Sequence, residues 1–215
     1  PALRAAWLVC EGTWFVGVDA LPTTPAGAMD GVPLSGRAAA CLAPLPPLHP
    51  AQLSAVFPGY PRPRAGEGAA AFRYRERRCA AHVDGILAEG PARRRHVREP
   101  HAWILGIGLA DAAPEAAPLT VWPGSHAVIG AALRAALAGQ AAPEKVDVTA
   151  AYTEARARVF DRIAPVPLPL RAGEAVVLHR HLLHGIAPWR AGPAAPRMTA
   201  YLRPPHPGGI AGWLS

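Results

Sequence analysis

Cysteine is scarce in this sequence, and none of its hydrophobic runs is long. The three cysteines, Cys10, Cys41 and Cys79, are far apart and form no Cys-x-x-Cys pair. An odd number of scattered cysteines argues against a disulfide-rich scaffold and is typical of free thiols, so we expect a cytoplasmic protein. No apolar run approaches the roughly 20 residues that a membrane-spanning helix needs, so we expect no membrane partner.

Lysine and aromatic residues are also rare. Lys145 is the only lysine although the formal net charge is +7, and aromatic residues make up 7% of the chain. Two arginine clusters, at residues 73–78 and 93–98, have few interleaved aromatic rings on which bases could stack. We therefore favour a solvated basic surface and expect no nucleic-acid partner, while an anionic small-molecule substrate is compatible with the charge.

Proline and glycine, in contrast, are abundant. The 26 prolines and 21 glycines predict many turns, as an all-β core requires, and 51% hydrophobic residues suffice for a buried core. The length of 215 residues and the absence of a linker-like stretch favour one domain, residues 1–215. The sequence begins at Pro1 and not at a methionine, which is compatible with a longer chain. It leaves the oligomeric state open.

Strand patterns surround two amphipathic helices without the βαβ alternation of a parallel sheet. We expect strands at residues 6–18 (as a hairpin), 71–78, 101–110, 118–122, 165–170 (at an edge), 175–178 and 197–202. Helices are expected at residues 36–42, 125–138 and 150–162, with Ser125 capping the second and Asp147 or Thr149 the third. Residues 57–68 and 90–99 are predicted loops, the first at the mouth of a site where Tyr60, Arg62 and Arg64 could touch substrate. This order favours a mainly β fold, a double-stranded β-helix with a few outer helices.

Residues 173–204 carry the densest set of candidate functional side chains. Their apolar start predicts a buried strand, three histidines follow at 179, 181 and 184, and Arg197 opens a second strand. If the two strands pair, the imidazole of His184 and the guanidinium of Arg197 lie side by side. Such a pair is a site for a metal and an anion together.

His82 and Asp84 form a second candidate motif upstream. Side chains two positions apart on an extended strand point to the same face, so an imidazole and a carboxylate would face one ligand. With one distant histidine they make the 2-His-1-carboxylate set, which leaves three positions of an Fe(II) octahedron open for a co-substrate and O2.

Together these motifs resemble the phytanoyl-CoA dioxygenase-like (PhyH) family of Fe(II)/2-oxoglutarate-dependent oxygenases. The resemblance rests on HVDGI at residues 82–86, PLTVWPGSH at 118–126, the pair His184-Gly185, and an Arg-x-Thr arrangement at 197 and 199. These features occur in the family's order, and the resemblance covers roughly residues 72–204.

The resemblance implies a jelly-roll, cupin-like core, Fe(II) as cofactor, and 2-oxoglutarate and O2 as co-substrates. It implies that His82, Asp84 and His184 bind the iron. Arg197 would pair with the distal carboxylate of 2-oxoglutarate, a task that suits a planar guanidinium, and Thr199 would add a hydrogen bond. The expected reaction is hydroxylation of a small molecule with release of succinate and CO2. Related halogenases carry a small residue where Asp84 stands, so hydroxylation or a similar oxidation is preferred.

Several alternatives stay open. Strict alternation would put the side chains of His179 and His181 on one face, so either is an alternative to His184 as the third metal ligand. In favour of His184, it precedes a glycine that permits close approach. Arg203 competes with Arg197 for the co-substrate, and His126 is interpreted as fixing a turn and not as a ligand.

Two other functions also fit parts of the sequence. A cupin-like metal-binding protein or isomerase could keep the barrel without redox chemistry, but would not need the Arg-x-Thr arrangement. A nucleic-acid-modifying oxygenase is suggested only by charge. The identity of the substrate does not follow from the sequence.

Overall fold

The computed structural model describes residues 7–215, and β-strands form its core. The strands are β1 Leu8–Val9, β2 Trp14–Leu21, β3 Ala51–Val56, β4 Ile86–Glu89, β5 Arg94–Val97, β6 Trp103–Gly108, β7 Leu119–Val121, β8 Val166–Leu168, β9 Ala175–His179, β10 His184–Ile186 and β11 Arg197–Leu202. The helices are α1 Arg37–Leu42, α2 Ala69–Arg78, α3 Ser125–Leu137, α4 Thr149–Arg162 and α5 Gly209–Leu214, with a 3₁₀ turn at Pro143–Lys145. None of the helices in residues 7–215 combines the length and the apolar composition needed to cross a membrane.

Two antiparallel sheets and a separate hairpin organise these strands. The larger sheet has the order β1-β2-β3-β11-β6-β9, the smaller one the order β10-β7-β8, and β4 pairs with β5. The smaller sheet is extended by His82, which forms an isolated bridge with His184 at the free edge of β10. The strand order jumps along the sequence in both sheets, as in a jelly roll.

The two sheets pack face to face through one apolar cluster. It contains residues from both sheets: Val56, Ile104, Leu119, Val121, Leu178, Ile186 and Tyr201. The predicted mainly β fold with a cupin-like, double-stranded β-helix core is therefore confirmed.

A second core joins the helices to the outside of the smaller sheet. Its buried residues come from α3, α4, α5, the segment around His82, and positions next to β7 and β10. They include Ala81, Val83, Trp122, Ile129, Leu133, Tyr152, Val159, Leu183 and Trp213. As predicted, α3 and α4 pack outside the barrel. This core matters for function because Ala81 and Val83 flank His82.

Most predicted elements are present with small shifts. The hairpin predicted at residues 6–18 is β1 with β2, whose pairing joins Leu8 to Phe15; its first predicted residue, Ala6, lies outside the described residues. Helix α3 begins at Ser125 as expected, but the N-cap is Gly124, and the Ser125 hydroxyl accepts the N–H of Leu183 at 2.9 Å. The N-cap of α4 is Val148, and the side chain of Asp147, one of the two predicted caps, accepts the N–H of Thr149 at 2.9 Å.

The strand predicted at residues 71–78 is wrong, because this segment is helix α2. Alanine, arginine and glutamate are strong helix formers, and the residues that pack inward recur at the helical period. Tyr74 and Arg78 both contact the ring of Phe160, and Arg75 is buried. The apparent alternation of aromatic and cationic residues was coincidental.

The loop predicted at residues 90–99 is also partly wrong. Strand β5 lies inside it and pairs with β4, with Ile86 opposite Val97 and Glu89 opposite Arg94. Its sequence, RRHV, lacks apolar alternation, and the side chain of His96 pairs across the hairpin with Glu89 at 3.1 Å. A search for apolar alternation does not detect such a strand.

Two expectations about the strands in residues 173–204 need correction. Strand β9 is the edge of the larger sheet and is mostly exposed, so it is not a buried strand. Strands β10 and β11 do not pair, because β10 belongs to the smaller sheet and β11 lies between β3 and β6 in the larger one. His184 and Arg197 therefore belong to opposite sheets and are not neighbours in one sheet.

Candidate metal centre

His82, Asp84 and His184 converge at the edge of the smaller sheet. One ligand atom from each of the three lies within 4.8 Å of the others, and this is the cluster of metal-binding side chains found in the described part of the chain. The main chains of His82 and His184 are joined by two hydrogen bonds, of 2.8 and 3.0 Å. The sequence predicted this set, and the structure brings all three together.

The orientation of both imidazoles suits metal binding. The Nδ1 atoms face main-chain carbonyls, that of His82 at 3.0 Å from Ala80 and that of His184 at 2.9 Å from Leu182. The Nε2 atoms face Asp84 Oδ1, at 3.1 Å from His82 and 3.6 Å from His184. With Nδ1 occupied by a carbonyl, Nε2 is the nitrogen directed at the candidate metal position, which is how metal-binding histidines are usually held.

The surroundings of Asp84 keep its carboxylate charged. Burial alone would raise the pKa of this carboxyl, but His184, then His82 and Arg203, hold that pKa well below its usual range. The guanidinium Nε of Arg203 lies 3.5 Å from Oδ2, while Oδ1 faces the two histidines. One oxygen is thus directed at the candidate metal position and the other at an arginine.

Two glycines let the main chain close around this cluster. A Cβ on Gly185 would lie 2.1 Å from the carbonyl oxygen of Cys79, and one on Gly85 would lie 2.0 Å from that of Glu99. Gly85 also has φ +84°, a conformation that favours glycine. The close approach expected at Gly185 is therefore that of another main-chain segment.

Arg197 and Thr199 lie on the inward face of β11. Arg197 is 5% exposed, and its Nη1 donates to the Thr199 hydroxyl at 2.9 Å. Its Nε and Nη2 are buried and have no hydrogen-bond partner within residues 7–215. Leaving donors of a buried cation unpaired is costly, so this guanidinium is suited to an anionic ligand.

A cavity of about 270 Å³ opens beside the histidines on the inner face of the larger sheet. Its lining is mainly apolar, with Trp14, Val16, Ile104, Leu119 and Ile186 next to His82, Asp84 and His184. Arg197 and Thr199 do not line this cavity, and Arg203 does.

A second cavity of about 530 Å³ adjoins the first. The two share Val18, Gln52, Tyr201 and Arg203. Arg203 donates to the amide oxygen of Gln52 and lies over the ring of Tyr201, so it forms part of the wall between the cavities. Alternation along β11, continued one residue past its end, puts positions 201 and 203 on the face of Arg197, a signal that could have identified this wall from sequence.

His179 and His181, the rival candidates for the third ligand, lie elsewhere. Arg180 and His181 form a turn, and the ring of His181 packs against Trp213 with centroids 4.3 Å apart. The ring of His126 lies 4.8 Å from that of His179. These histidines form a separate group that does not join the metal-binding cluster found in residues 7–215.

The loop at residues 57–68 contributes less to the cavities than predicted. Tyr60 is 1% exposed and packs edge-on against Trp14. Arg64 lies over the Trp14 ring at 5.2 Å and Arg62 is exposed, and none of the three lines either cavity. The loop therefore supports Trp14 from behind.

The two arginine clusters are not uniformly solvated. Arg75 is buried and forms an ion pair of 2.5 Å with Glu67, and Arg98 makes two hydrogen bonds of 2.6 Å to Glu89. Part of the positive charge of each cluster is thus neutralised within the fold.

The sequence profile of the family described as Phytanoyl-CoA dioxygenase (PhyH) matches residues 70–192, more than half of the chain. The chain belongs to this family. Fe(II) and 2-oxoglutarate are the family's cofactor and co-substrate, and the convergent His-Asp-His set fits the metal. The matched segment includes His82, Asp84 and His184 and ends before Arg197.

Several solved structures are similar in fold. They include the non-heme alpha ketoglutarate dependent carbocyclase SnoK from nogalamycin biosynthesis, with 15% identity, a TM-score of 0.40 and 73% of this chain covered. The epimerase SnoN from the same biosynthesis has 17% identity, a TM-score of 0.39 and 77% coverage. AviO1 from Streptomyces viridochromogenes has 20% identity, a TM-score of 0.34 and 76% coverage.

The chain spans about half the length of these structures, 49%, 54% and 53% respectively. At such low similarity they carry no argument about its reaction. No curated protein matches the sequence.

Proposed function

We propose that this protein is an Fe(II)- and 2-oxoglutarate-dependent oxygenase that hydroxylates a small-molecule substrate. The convergence of His82, Asp84 and His184, the 2-His-1-carboxylate set, carries the proposal. When bound, Fe(II) and 2-oxoglutarate supply oxidation of a C–H bond by O2, with release of succinate and CO2. The chain's own residues bind, orient and enclose the reactants.

His82, Asp84 and His184 would hold the metal through two Nε2 atoms and Asp84 Oδ1. The carbonyls of Ala80 and Leu182 keep the imidazoles in the required orientation by accepting their Nδ1–H groups. Arg203, on Asp84 Oδ2, favours binding through a single carboxylate oxygen.

Arg197 would bind the distal carboxylate of 2-oxoglutarate, assisted by Thr199. The two unpaired donors of Arg197, Nε and Nη2, lie on one edge of the guanidinium and match the two oxygens of a carboxylate. The hydrogen bond from Nη1 to Thr199 fixes the remaining edge. Arg203 is less suited to this role because its guanidinium already contacts Asp84 and Gln52.

The substrate would enter through the second cavity, with its reacting carbon in the apolar first cavity. The shared wall offers a cationic contact point, the guanidinium of Arg203, whose side chain is 23% exposed. An anionic or strongly hydrogen-bonding group on the substrate would bind there, which is compatible with the anionic substrate that the composition allows.

An anaerobic titration tests the proposal. Addition of 2-oxoglutarate to the Fe(II)-loaded protein should produce a weak visible charge-transfer band, and admission of O2 should give succinate slowly even without substrate. His82→Ala is the control for both signals. A protein that binds metal but gives neither the band nor succinate would instead be the non-redox, cupin-like alternative.

A further inference from the structure

The segment that carries His82 and Asp84 is held from outside the barrel by two tyrosines. The hydroxyl of Tyr74, on α2, donates to the carbonyl of Ala81 at 2.7 Å. The hydroxyl of Tyr152, on α4, accepts the N–H of Val83 at 3.0 Å. The peptide groups on both sides of His82 are thus bound by side chains from two different helices.

These contacts matter because the segment is not part of a regular strand. His82 forms only an isolated bridge, to His184, and a turn begins at Asp84. No sheet ladder fixes the peptide of Val83, which connects the two candidate ligands. A small rotation of that peptide would move the imidazole and the carboxylate relative to each other.

The two rings are themselves firmly placed. Tyr152 is fully buried, and the guanidiniums of Arg95 and Arg156 lie 5.4 and 5.2 Å from its ring centre. Arg156 also lies 5.0 Å from the ring of Tyr74, so one cation contacts both tyrosines. Both hydroxyls stay protonated near neutral pH, since burial raises the pKa of Tyr74 to about 12 and also that of Tyr152.

We propose that Tyr74 and Tyr152 are positioning residues for the metal centre, which set the geometry of His82 and Asp84 through the peptide groups beside His82. This inference rests on the proposed metal-binding role of the triad. Loss of groups that hold metal ligands in position commonly lowers metal affinity by about 10- to 100-fold. A purely structural role for the two hydroxyls would change stability alone.

The test uses Co(II) as a spectroscopic probe in the full chain, with Tyr152→Phe and Tyr74→Phe as variants. Each substitution keeps the ring and its contacts with arginine and removes only the hydroxyl. We expect Co(II) affinity to fall about tenfold in each, with altered visible d–d bands at saturating Co(II). Tyr60→Phe is the matched control, because Tyr60 is also buried but its hydroxyl makes no hydrogen bond to residues 81–84. It should leave affinity and bands unchanged.

Unchanged Co(II) affinity and d–d bands in both variants would overturn the inference, even if urea unfolding showed a loss of stability. If Tyr152→Phe does not fold, Tyr74→Phe decides the question, because the ring of Tyr74 is only partly buried. A wild-type protein that binds no Co(II) would overturn the triad assignment itself. If the wild type binds Co(II) and both tyrosine variants bind it equally well, only the role of the tyrosines is overturned.

Discussion

The main chains of His82 and His184 are hydrogen-bonded to each other in both directions. The N–H of His82 donates to the carbonyl of His184 at 2.8 Å, and the reverse bond is 3.0 Å long. The imidazole centroids consequently lie 4.8 Å apart, although the residues are far apart in sequence. The backbone, and not only side-chain packing, therefore determines how the two rings face Asp84.

Replacement of His184 by alanine should abolish stoichiometric iron binding, whereas His179→Ala and His181→Ala should retain it. Of these three histidines, His184 is the one whose imidazole faces Asp84, and a site with two protein ligands binds Fe(II) much more weakly. The measurement is the Fe(II)-to-protein ratio after anaerobic loading and gel filtration. Full iron binding by His184→Ala would disprove the assignment.

Replacement of Arg197 by lysine should weaken 2-oxoglutarate binding and leave the metal in place. A lysine cannot make the paired hydrogen bonds of a guanidinium, so we expect a loss of about 1.5 to 3 kcal/mol, roughly 10- to 100-fold in Kd. Titration of the charge-transfer band measures it.

Arg203→Lys is the matched variant for that experiment, since Arg203 directly follows β11 and is the other arginine considered as the anchor of the co-substrate. It should leave 2-oxoglutarate affinity nearly unchanged. The reverse pattern, a loss in Arg203→Lys and none in Arg197→Lys, would make Arg203 the anchor of the co-substrate.

Gly185→Ala should destabilise the fold. The new methyl group would lie 2.1 Å from the Cys79 carbonyl oxygen, so the main chain at the histidine bridge must move. We expect a loss of about 1 to 3 kcal/mol in the free energy of unfolding by urea. Gly192→Ala is the control, because nothing lies within 4 Å of a Cβ there, and equal stability of the two variants would contradict the prediction.

Stability should fall with acidification because His181 is buried without charge. Burial, then the neighbouring His179, Arg180, Arg134 and His126, lowers its pKa from 6.5 to about 3. Between these values the unfolded chain binds a proton that the folded chain does not, so the free energy of unfolding falls as pH decreases below 6.5. The expected loss between pH 7.5 and 4.5 is about 2 to 3 kcal/mol.

His181→Leu removes the titrating group and fills a similar volume. Urea unfolding at a series of pH values should show a shallower decline for this variant than for the wild type. Identical slopes would mean that other groups cause the acid sensitivity.

Much of the candidate site could be predicted because short motifs carry it. His-x-Asp, His-Gly and Arg-x-Thr each specify side chains whose chemistry is local, and β11 was located at its true bounds as a strand-like segment. The strand at residues 71–78 was predicted wrongly because alternation over a few residues also occurs by chance in a helix whose inward face includes a buried Arg75.

The sequence alone determined the identities of the candidate ligands and the mainly β character of the chain, since both depend on residue type and local periodicity. Only the tertiary structure decided which strands are neighbours, because pairing depends on how distant segments pack. It separated His184 from Arg197 into two sheets, joined His82 to His184, and brought Arg203 to Asp84. It also brought Tyr74 and Tyr152 to the peptides beside His82, contacts between residues of different helices that no local pattern encodes.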